Sequence, residues 1–194
     1  MYKSFFKVLG GVALAGGLSC GSALAMGSGL SAFVVSGDGQ EVTDARTGLV
    51  WRRCAEGARW DGNNCSGVPG TYNYNDALAR ASRAIGYDDP APNASLPSTE
   101  KSAAGSKPPA NSSGWRLPTV YELSSITDRS RSNPTIDGAA FPGTPASWHW
   151  SATFDATNPS YVWIISFYNG YASNIGPYNK GYVRLVRGAV LNPG

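Results

Sequence analysis

From Trp163 the chain alternates, with Trp163, Ile165 and Phe167 large and apolar and Ile164, Ser166 and Tyr168 mixed in character. A period of two marks an extended strand whose successive side chains point to opposite faces. Whatever the fold, something must cover Trp163, Ile165 and Phe167, and Ile164, Ser166 and Tyr168 are then expected to point outward. Asn169-Gly170 follows, a dipeptide suited to a tight hairpin turn. Beyond it Tyr171, Ser173 and Ile175 alternate with Ala172 and Asn174.

The surrounding run, Trp150 to Arg187, is crowded with Tyr, Asn, Ser and Gly and sparse in charge before Arg184 and Arg187. Tyr gives broad, stiff contact area, while Ser, Asn and Gly give adaptable hydrogen bonding, a combination favoured in antibody paratopes. We therefore take Ile164, Ser166, Tyr168, Asn169, Tyr171, Ser173, Asn174, Tyr178 and Asn179 as candidate ligand-binding residues. The competing explanation is an ordinary solvated hairpin, since Asn, Ser and Gly are also common loop residues.

The amino terminus carries Lys3 and Lys7, then a short apolar and Gly-rich stretch from Val8 to Leu18, then Ala23-Leu24-Ala25. That order is expected of a secretory signal peptide over residues 1–25, too short to span a membrane. Cys20 offers a second outcome, a lipid anchor, although Gly17-Leu18-Ser19 matches a lipidation signal poorly. Cleavage after Ala25 leaves Cys54 and Cys65, and a pair of cysteines in an oxidising compartment is expected to form a disulfide. A metal site would need more ligands, and His149 is the single histidine.

Charge narrows the partners further. The formal net charge of +3 falls to +1 once Lys3 and Lys7 leave with the signal. No stripe of Lys or Arg is present, which argues against nucleic acid as the main ligand. Arg52, Arg53 and Arg59 could form a local patch for acidic glycans or simply be solvated.

The mature length suits one domain, residues 26–194. Strands are expected over Phe33 to Val35 and Glu41 to Arg52, the second interrupted by a turn at Asp44 to Gly48. Asn75 to Ile85 has helical spacing, with Arg80 and Arg83 expected to face out. Asp88 to Ser113 is rich in Pro, Ala, Ser and Asn and is expected to be a flexible insertion. After it, Thr119 and Glu122 have capping-box spacing at the start of a short helix that carries Leu123 and Ile126 and ends near Asp128.

Five segments then occur together: Val42-Thr43-Asp44 with Thr47 to Trp51, the helix after Tyr74, Gly114 to Thr119 with Glu122-Leu123, Trp150 to Thr153, and Tyr182 to Arg187. In this order they resemble the domain family first defined at the C-terminus of the Legionella collagen-like protein, over roughly residues 38–188. The insertion departs from the family pattern. The resemblance implies an α+β, C-type-lectin-like domain with two helices and a C-terminal antiparallel strand-rich region. It implies export to the periplasm, the outer-membrane surface or the medium, a protein or glycan ligand on another cell or surface, and a homotrimer. It also links the chain to variable proteins of diversity-generating retroelements, in which adenine-directed mutagenesis rewrites selected codons near the C-terminus. The family's founding member is an adhesin for sulfated glycans, so a fixed glycan adhesin is the alternative expectation.

Sharper chemistries find less support. Trp115 could stack on a sugar or anchor the core, and the core role suits its place before a helix. Arg184 and Arg187 could take sulfate or phosphate, or pair with carboxylates such as Asp44 or Glu122, which we expect. His149, between Trp148 and Trp150, is expected in an aromatic cluster rather than as a general base. Formylglycine-generating enzymes share the lectin-like architecture but need reactive cysteines, and calcium-dependent lectins need clustered acids. We therefore expect a binding protein, not an enzyme, with no cofactor or metal.

Overall fold

Short strands separated by turn residues pair into a meander at the start of the fold. Phe33–Val35 (β1), Glu41–Asp44 (β2) and Val50–Arg52 (β3) run antiparallel. Asp38 accepts hydrogen bonds from the Ser36 hydroxyl and the Gln40 amide in the first turn. In the second, the Gly48 amide donates to the Asp44 carbonyl at 2.8 Å. The computed structural model describes residues 32–84 and 114–191. The signal peptide, Cys20 and the insertion at 88–113 lie outside the described residues.

Ala58–Trp60 (β4) and Cys65–Gly67 (β5) form a small hairpin. A disulfide ties Cys65 of β5 to Cys54, which precedes the hairpin, with Cα atoms 5.6 Å apart, as the cysteine count suggested. Arg53 packs against the hairpin, its guanidinium 3.6 Å from the centre of the Trp60 ring.

Two helices follow. Tyr74–Arg83 (α1) is capped by Asn73, whose side chain accepts from the Asp76 amide, and it buries Tyr74, Ala77, Arg80 and Ala81 on one face. Arg80 was expected in solvent; instead it is buried, with its guanidinium 5.2 Å from the centre of the Tyr72 ring. The guanidinium is received by the face of the Tyr72 ring, outside the helix, a partner that helical periodicity alone does not reveal. Val120–Ser125 (α2) begins with both halves of the Thr119–Glu122 capping box.

The C-terminal sheet has the order β6-β7-β8, from Trp148–Phe154 (β6), Val162–Ser166 (β7) and Ala172–Ile175 (β8), all antiparallel. Residues 181–187 join it to the first sheet. Tyr182 bridges β6 at His149, Leu185 and Val183 accept from the Arg52 and Glu56 amides, and Val186–Arg187 (β9) pairs with β3. The described residues thus form a small α+β domain of two helices and antiparallel strands.

Two apolar clusters hold it together. One gathers Tyr74, Ala77, Ala81, Trp115, Leu117, Trp150, Val162, Ile164 and Leu185, so Trp115 is a core residue. The other gathers Trp51, Leu123, Ile126, Phe141, Ile165, Phe167 and Val186. Of the arginines of the last segment, Arg187 pairs with a carboxylate as expected, though not with Asp44 or Glu122, and Arg184 takes uncharged acceptors. Arg187 pairs with Glu41 at 2.6 Å, Asp44 is taken by Arg46, and Glu122 by Arg116, with two contacts of 2.7 Å. Arg184 is fully buried and donates to the carbonyls of Arg52 and Arg53 and to the Thr144 hydroxyl.

Candidate functional site

The candidate residues sit on β7, β8 and the loops at their ends. β7 is buried on both faces, because one apolar cluster lies on each side of its sheet. Val162 and Ile164 enter the first cluster, Ile165 and Phe167 the second. Ile164, expected at the surface, is 0% exposed, so it is withdrawn from the contact face. Trp163, expected in the core, is only partly buried, opposite Asn174 on the outer strand. Alternation correctly marks the strand, but a strand covered on both sides has no outward face to read.

The turn after β7 is wider than the Asn169-Gly170 dipeptide suggests. Ser166 and Tyr171 close a loop of residues 167–170: the Ser166 amide donates to the Tyr171 carbonyl at 3.0 Å, and the Gly170 amide donates to the Ser166 carbonyl at 2.7 Å. Gly170 has φ of 75°, and a Cβ there would stand 3.1 Å from Cγ of Arg129. Glycine therefore answers both a left-handed backbone and a close neighbour. Phe167 roots the loop in the core. Its carbonyl accepts from the Thr135 amide at 2.7 Å and the Thr135 hydroxyl at 3.1 Å.

On this rooted loop Tyr168 and Tyr171 stand 59% and 61% exposed. Cross-strand register aligns Trp148, Ser166 and Tyr171 in one row, and Trp148 is 45% exposed. Two large aromatic side chains thus flank a small hydroxyl, with Tyr168 and Asn169 at the tip. Arg129 donates to the Gly170 carbonyl at 3.1 Å and holds its guanidinium 5.1 Å from the centre of the Tyr171 ring. Trp148 and Arg129 were not among the sequence candidates. Trp148 shares its alternation with the buried Trp150, and Arg129 lies far away in sequence, so neither carried a local signal.

The remaining candidates lie elsewhere on the sheet. Ser173 is exposed in mid-β8. Asn174 is half-buried and its amide donates to Asp155, a carboxylate held below its ordinary range chiefly by the Thr157 hydroxyl. Tyr178, 90% exposed, and Asn179 occupy the loop beyond β8. β8 rises about 3.3 Å per residue, so roughly 13 Å of strand separates Tyr171 from Ile175. The Tyr168 and Tyr178 ends are therefore distinct patches within one chain.

His149 lies beneath this surface. It is fully buried, edge-on to Phe167 and beside Tyr182, and its Nδ1 is 3.1 Å from the Ser147 carbonyl. Burial, reinforced by the Arg184 charge, lowers its pKa to about 3. It is the aromatic-cluster member expected and stays neutral at ordinary pH. Glu122 experiences opposing forces: burial raises its pKa, but hydrogen bonds from Arg116 and the Leu191 and Thr119 amides leave it below the usual carboxylate range. Among the described residues no group of three His, Cys, Asp or Glu side chains could hold a metal, and no helix is long and apolar enough to cross a membrane.

The sequence model of the Lcl C-terminal domain matches residues 40–187. No curated protein matches the chain. A match over this much of the sequence places the chain in the Lcl C-terminal domain family.

Proposed function

We propose that this member of the Lcl C-terminal domain family is an exported bacterial ligand-binding protein whose contact surface is the turn end of its C-terminal sheet. One observation carries the proposal: Trp148, Tyr168 and Tyr171 are exposed around Ser166, on a loop and strands rooted by the buried Ile164, Ile165 and Phe167. Aromatic side chains held on a rigid base give contact area with little ordering cost, the property of a prepared binding surface. Export is supported by the signal-like leader and by the Cys54–Cys65 bond, which suits an oxidising compartment.

Ser166, Tyr168, Asn169, Tyr171, Ser173, Asn174, Tyr178 and Asn179 use the residue alphabet that adenine-directed mutagenesis of Asn codons produces, and we take these positions, at the turn end and in the patch beyond β8, to be retroelement-diversified. The ligand is a protein or glycan on another cell or surface. The DNA flanking the gene tests this. A near-identical template repeat, differing at adenines in these codons and accompanied by a reverse transcriptase gene, is expected. Absence of any such repeat from the complete genome would contradict diversification.

Arg129 beside Tyr171 favours a second reading, a fixed adhesin for sulfated glycans, because a cation next to an exposed ring suits an anionic sugar. Retention on heparin that weakens steeply with salt would support it; indifference to heparin would remove it.

A further inference from the structure

The row of Trp148, Ser166 and Tyr171 crosses the C-terminal sheet at right angles to its strands. Residues directly opposite one another on paired strands present their side chains on one face. Neighbouring strands lie about 4.8 Å apart, so the roots of Trp148 and Tyr171, with Ser166 between them, stand roughly 9.6 Å apart. The row is thus an exposed ring at each end with a small hydroxyl in the middle. Among the described residues the Ser166 hydroxyl has no hydrogen-bond partner, and the exposed Arg129 has no carboxylate partner.

Spacing, hydrogen-bonding character and charge together match one ligand chemistry. A polyproline II helix advances about 3.1 Å per residue with about three residues per turn, so residues i and i+3 recur on one face every roughly 9.3 Å. That repeat is close to the interval between the two rings. Such a helix makes no internal hydrogen bonds and proline has no N–H, so it offers carbonyl acceptors and few donors. The row supplies the complement: donors at Ser166 and Arg129, and aromatic rings of the kind that line proline-binding grooves. A sulfated sugar would engage Arg129 but would not require a second ring two strands away.

We propose that this row binds a proline-rich segment of a partner protein, laid across the strands with prolines i and i+3 on Trp148 and Tyr171. The inference rests on the turn end being the contact surface, and it narrows the ligand of that surface to one class. The Ser166 hydroxyl donates to a carbonyl between the two prolines. Arg129, 5.1 Å from the centre of the Tyr171 ring, puts positive charge at one end of the row only. An acidic residue beyond the proline on Tyr171 completes the match and fixes the direction of the segment. The ligand is extended before it binds, so little ordering entropy is lost on docking.

Fluorescence anisotropy of labelled synthetic peptides, titrated with the mature chain, tests the match. Two peptides share one composition and a terminal Glu, with their prolines at i and i+3 in one and at i and i+2 in the other. The first should bind at least about tenfold more tightly. Trp148→Ala and Tyr171→Ala should each weaken it by a similar factor with little change in melting temperature, since neither residue belongs to a core cluster. The unaltered chain should prefer the Glu-ended peptide to a Lys-ended counterpart, and Arg129→Gln should remove that preference. Equal binding at the two spacings, indifference to both ring substitutions, or equal binding of the Glu-ended and Lys-ended peptides would each overturn the proposal. If no peptide binds, yet a library randomised at Ser166, Tyr168, Asn169 and Tyr171 still yields binders, the proline-rich ligand is refuted and the contact surface stands.

Discussion

Ile164 and Ile165 are consecutive residues of β7, and both are buried, in different apolar clusters on opposite sides of the sheet. Each faces its own set of partners: Trp150 and Val162 are in the cluster of Ile164, Leu123 and Phe167 in that of Ile165. Ile164→Ala and Ile165→Ala should therefore each lower stability by roughly 2–5 kcal/mol, the range for large-to-small core changes. Ser166→Ala, next along the strand, should stay within about 0.5 kcal/mol. Urea denaturation of the three variants checks this, and an Ile164→Ala variant as stable as the parent would refute the double-sided burial.

What was legible in the sequence was local. The Thr119–Glu122 cap, the turn at Asp44 to Gly48 and the strand character of residues 162–166 depend on neighbours a few positions apart, and all are present. The in/out assignment of Ile164 failed because burial on both faces depends on α1 and α2, which periodicity within β7 cannot see. Arg184 was assigned to a carboxylate for the same reason: its acceptors are carbonyls at Arg52 and Arg53 and the Thr144 hydroxyl, all distant in sequence. The row of Trp148, Ser166 and Tyr171 is set by strand register, and no single segment encodes it.

Stability should fall as the solution is acidified through the histidine range. Burial, with the Arg184 charge behind it, lowers the His149 pKa to about 3, while an unfolded histidine titrates near 6.5. Between these values the unfolded chain binds a proton that the native one refuses, so stability declines as pH falls from about 6.5 toward 3, by up to about 1.4 kcal/mol per pH unit. Over roughly pH 4.5–6.5 most carboxylates remain ionised, and His149 is the single histidine. Melting curves across that window should show a loss of about 2 to 3 kcal/mol. His149→Phe should flatten the dependence even if its baseline stability differs.

Arg184 should be sensitive to conservative change. Its planar fork reaches the Arg52 and Arg53 carbonyls at 2.9 and 2.6 Å and the Thr144 hydroxyl at 2.7 Å. Lysine keeps the charge but cannot serve those acceptors from one rigid plane. Arg184→Lys is expected to cost roughly 2–4 kcal/mol in chemical denaturation, as buried acceptors are left unpaired. An unchanged midpoint would mean that the fork is dispensable.

The Cys54–Cys65 bond closes a short loop, with a sequence separation of 11. Protein made in the periplasm should contain no alkylatable thiol at either position, by mass spectrometry. Replacing both with Ser should cost about 2–3 kcal/mol, with hydrogen exchange rising first in the β4–β5 hairpin. Efficient labelling of both cysteines in folded protein would contradict the bond.

Removing the exposed rings should separate binding from stability. Tyr168→Ala and Tyr171→Ala are expected to leave the melting temperature nearly unchanged, since neither ring is in a core cluster. If heparin is retained by the parent, each should weaken that retention, by about 2 kcal/mol for a ring that acts as a central anchor. Equal loss of stability and retention would point to a structural role for the rings.

The central claim is that the turn end of the C-terminal sheet carries contacts while the residues beneath it carry the fold. Thermal melting of a displayed library randomised at Ser166, Tyr168, Asn169 and Tyr171, with selection against one immobilised folded protein, tests it most directly. Most clones should melt close to the parent, and selection should recover specific binders whose affinity is lost when the four positions revert. A library that is largely unfolded, resembling Ile164→Ala, or that yields no binder while remaining folded, would contradict the claim.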